Sequence, residues 1–183
     1  MKNIIINNTD SNSYDSKMEK ARAIIINENG NLLVSILNGS LILPGGTIES
    51  NETPTKTLRR ELIEEAGIEN INLKKFIKIS YYHNIFPKYK QVGFEKRLNI
   101  VNYYYSSSLV NIDNNKSNLT EYEKESNMQL VFLSIEDIKS RINIITDNIW
   151  QKPLNLELST ILELIEKEAL LNKVKEARSS GIN

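Results

Sequence analysis

The sequence predicts a single α/β domain. Its 183 residues suffice for one domain with its own hydrophobic core. Short β-branched runs separated by Asn-Gly pairs fill the first part of the chain, and an apolar repeat at helical spacing closes it. Between them the pair Gly45-Gly46 turns the chain into a segment dense in carboxylates. No internal repeat and no shift of composition marks a second domain. Residues 1–16 are expected as a flexible arm or edge strand, 17–177 as the domain with a C-terminal helix, and 178–183 as a frayed tail.

The elements follow in order. Ile4-Ile5-Ile6 interrupts an otherwise polar start. Lys20–Ile26 reads as a strand, and Asn29-Gly30 predicts a type I′ hairpin into a return strand, Asn31–Leu37. A second pair, Asn38-Gly39, turns the chain into Leu41–Leu43, which Pro44 ends because it cannot donate to a ladder. Thr53 is the expected N-cap of the next helix, Pro54 suits its first position and Gly67 its end. Leu58, Leu62, Ile63 and Ala66 are its expected buried face. Strands are expected at Ile71–Tyr82, Phe94–Tyr105 and Met128–Leu133, with loops at His83–Gly93 and Ser106–Ser126. Ser134 caps a short helix, and Leu154–Ala177 reads as one long helix.

Composition excludes several classes. There is no cysteine, hence no disulfide, thiolate metal site or cysteine nucleophile. Lys plus Arg and Asp plus Glu are 23 each, so no basic field argues for nucleic acid. No apolar run approaches the ~18 residues of a membrane span, and the N-terminus has no signal-peptide core. The expected location is the cytoplasm, with no membrane partner.

The chemistry concentrates in residues 45–68. Glu61, Glu64 and Glu65 stand at i, i+3 and i+4, one face of a helix, where like charges repel. A glutamate run on a helix is ordinarily a solvated face. A hard cation between the carboxylates would relieve the repulsion, and oxygen donors of this kind suit Mg²⁺ or Mn²⁺. The spacing itself is distinctive. From Gly46 the chain runs through five residues to Glu52, seven more to Arg60-Glu61, then Leu62, one residue, Glu64-Glu65, one residue, Gly67 and Ile68. At every fixed position this resembles the Nudix box of the Nudix hydrolases.

The resemblance runs from about Lys20 to Ser140 and implies a Nudix-like α/β/α sandwich with a mixed sheet. It implies hydrolysis of a pyrophosphate bond in a nucleoside diphosphate linked to another group, with Mg²⁺ (or Mn²⁺) as cofactor and a small nucleotide-type substrate. The implied metal ligands are Glu61, Glu64, Glu65 and the Gly46 carbonyl. Arg60 and Glu52 match positions whose usual work is structural, Arg60 holding a box carboxylate. The general base is Glu64 or Glu61, or a glutamate from a downstream loop. Among Glu121, Glu123 and Glu125, Glu125 is the choice for a further acid, since Gln129 stands where the family strand often has one. No residue is assigned to an organic cofactor. His83, the tyrosines Tyr81, Tyr82 and Tyr103–Tyr105, and the cations Lys88, Lys90, Lys96 and Arg97 are further candidates for substrate contact. The helix after Pro153 packs on the fold or serves a homodimer interface. The alternative is a Nudix-fold domain that binds a nucleotide without cleaving it; such members tend to lose box glutamates, and this chain keeps them.

Overall fold

The computed structural model describes residues 3–6, 13–85, 95–113, 115–142 and 151–181, with backbone alone for 3–6, 83–85, 151 and 152. Expectations that fall on Lys88, Lys90, Gly93 and the side chain of His83 lie outside the described residues.

The central layer is built of two sheets. The first comprises β1 (Asn3–Ile6), β2 (Ser16–Ile25), β5 (Leu73–Ile85) and β6 (Glu95–Ser106) in the order β1-β5-β6-β2. It is mixed: β1 runs parallel to β5 and β2 parallel to β6, while β5 and β6 are antiparallel. The second sheet, β4-β3-β7, is antiparallel and comprises β3 (Leu32–Leu37), β4 (Ser40–Ile42) and β7 (Gln129–Leu133). Helix α1 (Pro54–Ala66) covers one side through a cluster of Ala21, Ala23, Ile25, Leu33, Leu58 and Leu62. On the other side α3 (Ile135–Ile142), α4 (Gln151–Lys167) and α5 (Leu170–Ser179) bury Ile24, Val34, Ile79, Val101, Leu158 and Ile161. The alternation along β2 divides its side chains between the two cores.

Several expectations change. Asn29-Gly30 does not join a two-stranded hairpin: β2 and β3 share one bridge, Ile26 to Leu32, and then enter different sheets. Gly30 alone has positive φ there, and the Asn27 side chain organises the turn by accepting from the Asn29 and Asn31 amides. Asn38-Gly39 does form the expected turn, both residues at positive φ, between β3 and β4. Ile63 is 41% exposed rather than buried; Thr57 and Glu65 are the additional buried positions of α1. The long loop contains a one-turn helix, α2 (Glu121–Glu125), held by a Thr120–Glu123 capping box. The long C-terminal helix is two, broken where Ala169 adopts the left-handed conformation (φ 49°). The tail is held as far as Arg178, whose guanidinium donates to the carbonyls of Ile26, Asn27, Ser107 and Ser108. At the other end, residues 3–6 form an edge strand.

Candidate metal and catalytic site

The site grows from one strand edge and one helix. Along the free edge of β2 the backbone binds the glycine turn: Ala23 N–H donates to the Pro44 carbonyl at 2.9 Å, Ala21 N–H to Gly46 at 3.0 Å, and Ile48 N–H to Glu19 at 2.9 Å. Gly45 has φ 123°, and a Cβ there would lie 2.3 Å from the Ala21 carbonyl oxygen, so only glycine fits. The chain then enters α1 as its sequence dictates. Thr53 Oγ1 accepts from the Lys56 amide at 3.3 Å, and left-handed Gly67 closes the last turn with N–H to the Ile63 carbonyl at 2.9 Å.

Arg60 organises the outer carboxylates. Its Nε and Nη2 donate to the two Glu52 oxygens at 2.9 and 3.0 Å, a two-pronged pair. Nη1 bridges Glu61 at 2.8 Å and Glu64 at 3.1 Å. Thr57 Oγ1 donates to Glu52 as well, at 2.8 Å. The hydrogen bonds from Arg60, then Thr57, hold the Glu52 carboxyl down to about 2. Arg60 is correspondingly raised above the ordinary guanidinium range, chiefly by Glu52.

Glu65 is the inner carboxylate. It is 6% exposed, and its Oε2 has no hydrogen-bond partner among the described residues. Burial pushes its pKa up to about 8, with Arg22 opposing and the charges of Glu61 and Glu123 adding to the rise. Glu61 is raised mainly by burial, with Arg60 opposing. Glu61 also packs on the turn itself: a Cβ on Gly46 would lie 2.1 Å from Glu61 Oε1.

The carboxylates and the turn suit a hard divalent cation. The ligand set is all oxygen, one buried oxygen is unanswered, and glycine lets a carboxylate reach the backbone. Glu61, Glu64 and Glu65 are the residues that would hold it. Among the described residues no three such side chains converge at ligand distances; Arg60 Nη1 bridges Glu61 and Glu64. The Gly46 carbonyl already accepts from Ala21 and would have to use its second lone pair.

Sequence reasoning missed one residue here and ranked a second, Glu123, below Glu125. Arg22, 7% exposed on β2, donates through Nη1 to the Leu43 carbonyl at 3.0 Å and to the Gly45 carbonyl. It fastens the glycine turn and sets a positive charge beside Glu65. A cation inside an apolar strand run was the available signal. The second is Glu123. The segment before α2 is stitched to the end of α1, with Asn118 N–H on the Glu64 carbonyl at 2.7 Å and Asp113 N–H on the Ala66 carbonyl at 3.0 Å. That docking brings Glu123 close enough for Glu65 to feel its charge, while Glu125 lies exposed. Beside Glu65 opens a cleft of about 390 Å³, bounded by Ser117, Leu119, Met128, Gln129, Leu130 and Val131.

The aromatic candidates are packed rather than open. Tyr81 and Tyr103 are buried and donate to the two oxygens of Glu157 at 2.7 and 2.6 Å. Tyr82 lies under the Lys96 ammonium, 4.4 Å from the ring centre, Tyr104 belongs to the core, and Tyr105 meets Phe76 edge to face. Arg97 pairs with Glu95 and Ser16.

The profile of the NUDIX domain family matches residues 17–154. An 8-oxo-dGTP diphosphatase of Escherichia coli K12 is 37% identical over 71 residues, 36% of this chain and 55% of that protein. Its Haemophilus influenzae counterpart is 37% identical over 70 residues, 35% of this chain and 52% of that protein. The chain spans about half the length of the curated relatives it matches. Among solved structures, the Escherichia coli ORF135 protein aligns with a TM-score of 0.47 at 19% identity, over 81% of this chain and 91% of that one.

Proposed function

The chain belongs to the NUDIX domain family, and on that premise we propose that it hydrolyses a pyrophosphate bond in a nucleotide with the help of Mg²⁺ or Mn²⁺. The observation that carries the reading is buried Glu65, with an unanswered oxygen, beside Glu61 and the glycine turn. A divalent ion bound there would neutralise phosphate oxygens and lower the pKa of a bound water.

The chain's own residues divide the remaining work. Arg22 and the β2 edge fix the turn. Arg60, held by Glu52, which Thr57 steadies in turn, keeps Glu61 and Glu64 in place as a positioning residue. Glu64 is the most exposed of the three glutamates, which suits it to take a proton from water; Glu61 and Glu123 are the other bases within the site. The cleft beside Glu65 leaves room for substrate. No helix among the described residues is long and apolar enough to cross a membrane. The cytoplasm remains the proposed location, and a small nucleotide the proposed partner.

The relatives' names make 8-oxo-dGTP the first substrate to try. A panel of 8-oxo-dGTP, ordinary nucleoside triphosphates, ADP-ribose and dinucleoside polyphosphates, with Mg²⁺ or Mn²⁺, tests the proposal by chromatography of products. Turnover that needs metal and falls at least a hundredfold in Glu65→Gln supports it. No turnover on the panel with either metal, while the protein still binds a nucleotide, would favour a binding domain instead.

A further inference from the structure

Beyond the glycine turn, the α4-facing side of the mixed sheet carries polar groups that the protein leaves unanswered. Lys20 and Arg22 alternate on β2, opposite Val101 and Tyr103 of β6. Asn99 is one step along β6, in register with Met18 and with Tyr81. These positions share one face of the sheet. Asn99 is 3% exposed and its Nδ2 has no hydrogen-bond partner among the described residues. Arg22 donates through Nη1 to the turn; among the described residues no acceptor meets its Nε or Nη2. The Lys20 ammonium likewise has no hydrogen-bonded acceptor among them, and burial lowers its pKa.

The carboxylate that could have answered them is engaged. Glu157 accepts from Tyr81 on one oxygen and Tyr103 on the other. Arg97, farther along the row, already has Glu95 and Ser16. Buried donors without acceptors are destabilising and rare. Asn99 Nδ2 is such a donor, and Lys20 and Arg22 lie on the neighbouring strand that carries the site, with Lys20 bridged to Thr47 and Ala21 bonded to Gly46.

We propose that Lys20, Arg22 and Asn99 form a second subsite that binds a phosphoryl group of the substrate, across β2 from the carboxylate site. The two cations and the amide offer N–H donors to anionic oxygens, and the two cations favour phosphate over a neutral group. The choice of substrate rests on the hydrolase reading, but the subsite is testable without turnover.

The test titrates inorganic pyrophosphate and, separately, deoxyguanosine into the protein in EDTA, followed by calorimetry. Wild type should bind pyrophosphate, and Lys20→Met and Asn99→Leu should each weaken it at least tenfold. Pyrophosphate binding that is absent from wild type, or equal in the variants, overturns the subsite. Deoxyguanosine binding that the variants abolish overturns its assignment to phosphate. Circular dichroism checks the fold of each variant; if Asn99→Leu fails to fold, Lys20→Met decides alone. In Mg²⁺, Lys20→Met should raise KM at least tenfold and leave kcat within about threefold, whereas a merely structural role would lower kcat or stability instead. A wild type that binds pyrophosphate through these residues but hydrolyses nothing refutes the hydrolase reading and keeps the subsite.

Discussion

Glu61 lies against Gly46 so closely that a single methyl group would displace it: a Cβ on Gly46 would lie 2.1 Å from Glu61 Oε1 and 2.4 Å from its carboxyl carbon. The neighbouring glycine is constrained differently, by backbone, since a Cβ on Gly45 meets the Ala21 carbonyl at 2.3 Å with φ at 123°. The two substitutions should therefore separate stability from activity. Gly46→Ala moves the end of a flexible side chain, so it should cost little stability yet lower kcat about 100-fold by misplacing Glu61. Gly45→Ala meets backbone that cannot yield, at a φ unfavourable to alanine, and should lower the melting temperature clearly. Thermal melts and single-substrate kinetics on the two variants check this; equal loss of stability in both would contradict it.

The Arg60–Glu52 pair predicts an acid-side dependence. Glu52 has a folded pKa of about 2, below its ordinary 4.5. A depressed carboxyl contributes stability above about 4.5, and loses it as pH falls through about 2. Glu52→Gln should thus melt below wild type at neutral pH, with the gap closing on acidification. Because Arg60 also holds Glu61 and Glu64, the same variant should lose about 10- to 100-fold in activity or metal affinity. Paired melts from pH 2 to 7 and a Mg²⁺ titration are the measurements.

Helix α1 was legible because its signals are local: Thr53 caps, Pro54 starts, Gly67 stops, and the carboxylate spacing fixes one face. The structure sets the glycine turn on the β2 edge beside α1, with Arg60 bonded to Glu52, Glu61 and Glu64. What could not be read depends on distant partners. Arg22 matters because the chain returns to the β2 edge more than twenty residues later. Glu123 matters because the segment before α2 docks on the carbonyls of α1. Ile63 has apolar identity but the exposed angle of its helix. The break between α4 and α5 falls at an alanine, whose left-handed conformation is unfavourable and carries no sequence signal; the apolar repeat continues across it.

Glu65 predicts a coupling of protonation to metal. Its folded pKa is raised from 4.5 to about 8. A raised carboxyl contributes stability below about 4.5 and loses it as pH rises through about 8, on the order of a few kcal/mol across the window. The metal-free protein should therefore lose stability over that range relative to Glu65→Gln. Mg²⁺ needs the ionised form, so binding should tighten with pH and release a proton. Melts from pH 5 to 9, with and without Mg²⁺, should show a metal-dependent gain that grows with pH in wild type and is largely lost in Glu65→Gln. A pH-independent gain would place the ion away from Glu65.

Arg178 predicts a stability effect without a catalytic one. From α5 it donates to carbonyls of the β2–β3 turn (Ile26 and Asn27) and of the segment after β6 (Ser107 and Ser108), 2.7 Å from Ser107 and 3.2 Å from Asn27. Removing the guanidinium leaves those carbonyls to water and unlatches the C-terminal helix. Arg178→Ala should cost about 1–3 kcal/mol, read from denaturant midpoints. Amide exchange should quicken in α5 and around Asn27, while exchange in α1 stays unchanged. Because the latch touches neither the glycine turn nor α1, kcat and KM should remain within about twofold of wild type, a range that leaves transition-state stabilisation essentially intact. A larger loss of kcat would mean that α5 reaches the site through the β2 strand it holds.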